Sequence, residues 1–137
     1  MAEHAILSAS GASRWLNCPG SVRLSKGIPT STSVYAEEGT AAHELAARCL
    51  TGGKNAEEFL GKLIAVNGHM YEVNDEMAEA VQLYVDTVRA DRSIVGDANE
   101  FLIENRFNLN WLYPGLFGTN DALVGEFLGT LRIYDLK

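Results

Sequence analysis

The hydrophobic residues of this chain repeat at helical spacing up to about position 92 and at strand spacing from about position 99. That switch leaves few architectures open. Met77, Ala80, Val81, Tyr84, Val85 and Val88 recur at the three- and four-residue intervals of one helix face. Asn74 stands before them as a cap, Asp75 and Glu76 fall in the first turn, and Arg89 and Arg92 close the last. From Phe101 the pattern changes. Phe101, Ile103, Asn105, Phe107 and Leu109 take one face of a strand, and Leu102, Glu104, Arg106 and Asn108 the other.

The remaining elements fit around that division. Residues 5–18 read as a short helix with Ser8 or Ser10 as cap and Pro19-Gly20 as stop. Residues 19–34, rich in Ser, Thr, Pro and Gly, read as a surface loop. A helix is predicted from about Tyr35 to Leu50, with a narrow stripe of Ala41, Ala42, Leu45, Ala46 and Cys49, ended by Gly52-Gly53. Phe59–Val66 and His69–Val73 flank Asn67-Gly68, a strong hairpin signal. Trp111–Gly115 is a turn around Pro114, and Asp121–Phe127 and Thr130–Lys137 are strands joined at Gly129. Helices followed by an antiparallel meander make an α+β domain, with the N-terminal helices packed on the meander. One domain over 1–137 is expected, mainly helical over 1–98 and β-meander over 99–137.

Composition excludes several classes. No apolar run approaches the length that crosses a bilayer, and the N-terminus lacks the pattern of a signal peptide, so no membrane partner is expected and the cytoplasm is the expected compartment. Cys18 and Cys49 are too far apart for a two-cysteine metal knuckle. The net charge of −7 runs against a protein that grips nucleic acid mainly through phosphates. Carboxylates gathered around a divalent cation would give the same sign.

The last strand, LRIYDLK, carries the chemistry. Period two places Leu131, Ile133, Asp135 and Lys137 on one face, so an acid and a base project side by side at its end. Gly118-Thr119-Asn120-Asp121 opens the preceding strand. In a hairpin around Gly129, Asp121 and Asp135 come to the same end of the sheet. Two carboxylates converging there repel unless a divalent cation neutralises them, and Mg²⁺ suits such a site. Each piece is ordinary alone: Asp-x-Lys as a solvated ion pair, Asn-Asp as turn chemistry, Glu104 as a solvent-facing residue. His43, in EEGTAAHELAARCL, is by itself a helix histidine of the kind that is usually structural or surface.

In order along the chain, Gly39-Thr40-Ala41-Ala42-His43, Glu104, Gly118-Thr119-Asn120-Asp121 and Asp135-Leu136-Lys137 resemble the RecB-like branch of the PD-(D/E)XK nuclease superfamily. The N-terminal SASGASRWLNCPGSVRLS, followed by the Glu-Glu-Gly-Thr helix, is similar to an uncharacterised phage and prophage family within that branch. The resemblance implies a restriction-endonuclease-like core and phosphodiester hydrolysis of DNA, alongside phage replication or recombination proteins. It implies Mg²⁺ or Mn²⁺ held by Asp121, Asp135, the Leu136 carbonyl and His43, the imidazole favouring Mn²⁺. Lys137 would orient the attacking water and stabilise charge on the phosphate, with Glu104 assisting. Members continue past Asp-x-Lys with a further helix and strands, so the resemblance also implies a chain cut short at Lys137. Some carry an iron–sulfur cluster whose first ligand falls where Cys18 lies; its other ligands are absent here, so such a cluster belongs only to a longer parent. Two other readings remain open: a catalytically inactive nuclease-fold module for binding or assembly, and a metal-dependent phosphohydrolase of small substrates.

Overall fold

The computed structural model describes residues 6–8, 11–28, 33–95, 100–125 and 129–137. Helices come first and strands after, in an α+β arrangement with two small sheets. The elements are α1 (Ala12–Asn17), α2 (Gly20–Leu24), α3 (Val34–Gly52), a 3-10 turn (Ala56–Phe59), β1 (Leu63–Val66), β2 (His69–Glu72), α4 (Asp75–Val95), β3 (Phe101–Asn108), β4 (Phe117–Gly125) and β5 (Leu131–Tyr134). Two compact units divide the chain: residues 1–31 with 106–119, and residues 32–105 with 120–137. No helix among the described residues is long and apolar enough to cross a membrane.

The larger unit holds the main core. Ser33 starts α3 by accepting the Ala36 N–H on its hydroxyl at 3.2 Å, and Gly53 ends it in the left-handed region at φ 66°. Ala41, Leu45, Ala46, Cys49 and Leu50 form the buried stripe of α3. The small side chains let α4 approach closely. Asn74 accepts the Met77 N–H at 2.8 Å and starts α4. The buried residues of α4 are Met77, Ala78, Val81, Tyr84, Val85 and Val88. The stripe leans toward Ala78, and Ala80, expected in it, is exposed. Each fully buried valine or leucine contributes roughly 1.5–3 kcal/mol. Arg89 then ties the helices together, donating at 3.1 Å to the carbonyl of Cys49 in the last turn of α3 and at 2.6 Å to that of Lys54 just after it.

β1 and β2 pair antiparallel, Val66 opposite His69, across Asn67-Gly68, where both residues take positive φ (50° and 87°). Asn and Gly tolerate that conformation at low cost. The hairpin is fastened to α3 by Glu37, a charged residue only 6% exposed. Its carboxylate accepts the Tyr71 hydroxyl at 2.6 Å and meets His69 Nδ1 at 2.8 Å. In the second sheet the order is β3-β4-β5, and β4 pairs antiparallel with β5 from Gly125–Leu131 to Ala122–Tyr134. Ala122 and Val124 join the core of α3 and α4, with Phe101, Ile103, Tyr134 and Leu136 packed against it.

The smaller unit departs most from the sequence pattern. The first helix begins only at Ala12, and Ser8 acts before it, accepting the Gly11 N–H on its hydroxyl and the Trp15 indole N–H on its carbonyl. Ser10 lies outside the described residues. The stretch expected to be loop contains α2. The cause is Pro19. It keeps Cys18 out of the helical region (φ −140°, ψ 84°), ending α1. Its own fixed φ of −55° is already helical and opens α2.

Candidate metal centre

Three elements of the larger unit converge on one group of side chains. His43 comes from the middle of α3, two and three residues before the buried Leu45 and Ala46, so the buried stripe of the helix sets its place. Asp121 comes from β4, immediately before the buried run Ala122–Val124. Glu104 comes from β3, just after Ile103, which packs on the core. One ligand atom from each of His43, Glu104 and Asp121 lies within 4.8 Å of the other two.

The electrostatics of the triad are strained. His43 Nδ1 is 3.1 Å from Asp121 Oδ1. The other Asp121 oxygen accepts the Leu136 N–H at 2.7 Å, which fixes the carboxylate just beyond the Ala122–Tyr134 pair. Burial pushes the Glu104 carboxyl above its ordinary value, and the negative charge of Asp121 pushes it further, while His43 opposes. Glu104 also takes φ 48°, a region that costs a non-glycine residue on the order of 1–3 kcal/mol and recurs at functional sites.

Beside the triad stands Tyr84, from the buried face of α4. Its hydroxyl is buried and makes no hydrogen bond among the described residues. Burial raises its pKa, and the charges of Asp121, Glu104 and Asp135 raise it further. A buried O–H without an acceptor costs about 1–3 kcal/mol. The acceptor it lacks would come with a ligand at the carboxylates. Sequence reasoning missed Tyr84, because its place in the α4 stripe reads as core; a hydroxyl at the centre of an otherwise apolar stripe was the available signal.

The residue types and their spacing fit a divalent cation. One imidazole nitrogen and two carboxylates leave room for waters in an octahedral shell, as Mg²⁺ and Mn²⁺ prefer. An entering cation would also offset the repulsion that raises Glu104.

A family model described as "Protein of unknown function (DUF2800)" matches residues 4–137. The chain belongs to the DUF2800 family. No solved structure matches it.

The remaining predicted site residues of this DUF2800 member fall at the edge of the triad. Asp135 follows directly on β5, opposite Asp121 if the register is continued by one step. Its side chain is 59% exposed and pairs with Lys137 Nζ at 3.3 Å, while Lys137 is 86% exposed. Leu131 and Ile133, on the same face, are exposed too; the inward positions are Arg132, Tyr134 and Leu136. Leu136 meets Asp121 through its N–H, and its side chain packs against the core. Cys18 and Cys49 are free thiols, Cys18 exposed and Cys49 buried.

Proposed function

We propose that this DUF2800 member is a metal-dependent deoxyribonuclease whose cation is held by His43, Glu104 and Asp121. The observation that supports it most is the triad itself, three metal-ligating groups from three elements within 4.8 Å of one another. The motif order shared with RecB-like nucleases supports the choice of a phosphodiester substrate.

When bound, Mg²⁺ or Mn²⁺ supplies Lewis-acid polarisation of a phosphate and a water of lowered pKa. The protein's own groups do the rest. Asp121, held by the Leu136 N–H, keeps one oxygen fixed toward His43. The Tyr84 hydroxyl donates a hydrogen bond to an oxygen entering the cluster. Lys137, at the open end of β5, meets phosphate charge from the solvent side, and Asp135 orients it. Cleavage of labelled DNA with Mn²⁺, with and without EDTA, tests the proposal. Activity in wild type that Asp121→Ala abolishes supports it; a folded wild type that binds Mn²⁺ and cleaves no DNA form refutes it.

One observation favours a second reading. The Lys137 ammonium is engaged by Asp135 and turned to solvent, as in a metal-binding module without hydrolytic activity. Cation binding without turnover would be its signature.

A further inference from the structure

The charge of the chain is unevenly distributed. The smaller unit, residues 1–31 with 106–119, carries Arg14, Arg23, Lys26 and Arg106 against the single acid Glu3, in a chain of net charge −7. Among its described residues there is no acid. The same unit displays aromatic surface at its hairpin tip: Trp111 is 79% exposed, Tyr113 47% and Phe107 38%. Beside them the Arg106 guanidinium stacks on Phe117 at 3.5 Å from the ring centre. A cavity of about 180 Å³ there is lined by Ile6, Arg106, Asn108, Asn110 and Phe117 among others.

The asparagines sharpen the chemistry. Asn108 Oδ1 accepts the Asn110 N–H at 2.9 Å, and Asn110 Oδ1 accepts the Gly115 N–H at 2.8 Å. Both side chains line the cavity, and with each carbonyl oxygen engaged in the loop, each brings an amide NH₂ as a donor. Donors, a guanidinium plane and exposed rings call for a partner with acceptor oxygens, negative charge and flat faces. A lipid surface would satisfy the rings and the charge but gives the amide donors no defined acceptor in a small cavity.

We propose that the hairpin tip of the smaller unit binds single-stranded nucleic acid, bases stacking on Trp111 and Tyr113 and acceptor groups meeting Arg106, Asn108 and Asn110. Base–aromatic stacking is indifferent to sequence, and the paired bases of a duplex offer it no faces. The proposal names the strand form that the nuclease reading leaves open and to that extent deepens that reading; the surface itself is independent of the triad.

The test is fluorescence anisotropy with a labelled oligothymidine of about 15 nucleotides, matched to a single-strand site, against a duplex of equal length, in EDTA. The expected result is tighter binding to the single strand, weakened by salt, with quenching of tryptophan fluorescence. Trp111→Ala with Tyr113→Ala should cost tenfold or more in affinity, and Trp111→Phe should retain most of it. Arg23→Glu with Lys26→Glu, both on the exposed surface, should weaken binding and flatten its salt dependence. No binding by folded wild type, equal binding by the aromatic double variant, or capture by phosphatidylglycerol vesicles that the oligonucleotide cannot displace would each overturn it. Because EDTA keeps cations from the triad, a failure here leaves metal-dependent cleavage standing, and intact binding without any cleavage overturns only the nuclease reading.

Discussion

His43 Nδ1 lies 3.1 Å from Asp121 Oδ1, which joins the centre of α3 to the start of the buried segment of β4. A histidine on a helix and an aspartate on a strand are each unremarkable; their meeting next to a third carboxylate gives the fold a site. The same contact orders the first prediction. Asp121→Ala frees His43 and removes the acceptor of the Leu136 N–H, so it should lower stability by about 1–2 kcal/mol as well as abolish cation binding. His43→Ala should weaken cation binding with a smaller loss of stability. Denaturation with and without Mn²⁺ separates the two effects.

Glu104 should be a liability to the metal-free protein. Its folded pKa is raised, so the fold favours the protonated form. The associated stability is present below the ordinary glutamate value of 4.5 and is lost as pH rises through the raised value. Glu104→Gln should therefore have a higher melting temperature than wild type at pH 7 without metal, and the gap should close in acid. Mn²⁺ should raise the melting temperature of wild type and leave that of the variant nearly unchanged.

Tyr84→Phe removes a buried hydroxyl that has no acceptor among the described residues. The metal-free variant should be as stable as wild type or more so, by up to about 1 kcal/mol. Its metal-dependent DNA cleavage should fall about tenfold, the worth of one hydrogen bond to a charged group. A purely structural tyrosine would show the reverse: lost stability and unchanged turnover.

The Glu37 clamp makes its own prediction. Glu37→Ala should destabilise the protein by about 2 kcal/mol, because the Tyr71 hydroxyl loses its acceptor and α3 its hold on the β1–β2 hairpin. Tyr71 is pushed up to about 12 by that hydrogen bond to Glu37, and Tyr134 to about 12 by burial and by its hydrogen bond to Asp91. Both contribute stability that is present below the ordinary tyrosine value of 10 and lost as pH rises through about 12. Ultraviolet absorbance of tyrosinate should show three groups titrating late, Tyr71, Tyr134 and the buried Tyr84, with Tyr71 returning to the ordinary range in Glu37→Ala.

The larger unit was legible because its signals are local and agree. Asn74 caps α4, Asn67-Gly68 turns the hairpin and Gly53 closes α3, each for a backbone reason that one or two residues carry. The smaller unit was less so. Pro19 reads equally as a stop or a start, and it is both. At the site, Asp121 could be named from the hairpin around Gly129, but His43 and Glu104 only from motif order, since no local pattern says that three distant segments converge. The directions of Asp135 and Lys137 were harder still. Period two does hold from Leu131 to Lys137, but the face shared by Leu131, Ile133, Asp135 and Lys137 is the exposed one, because the core takes Tyr134 and Leu136 from the other.

Calorimetric titration of Mn²⁺ into the folded chain, and into Asp121→Ala, tests the central claim most directly. The triad predicts binding at about micromolar strength in wild type, on the order of 8 kcal/mol, and none in the variant. A folded wild type that takes up no Mn²⁺, or an Asp121→Ala variant that binds it equally well, would contradict the assignment of His43, Glu104 and Asp121 as a metal centre.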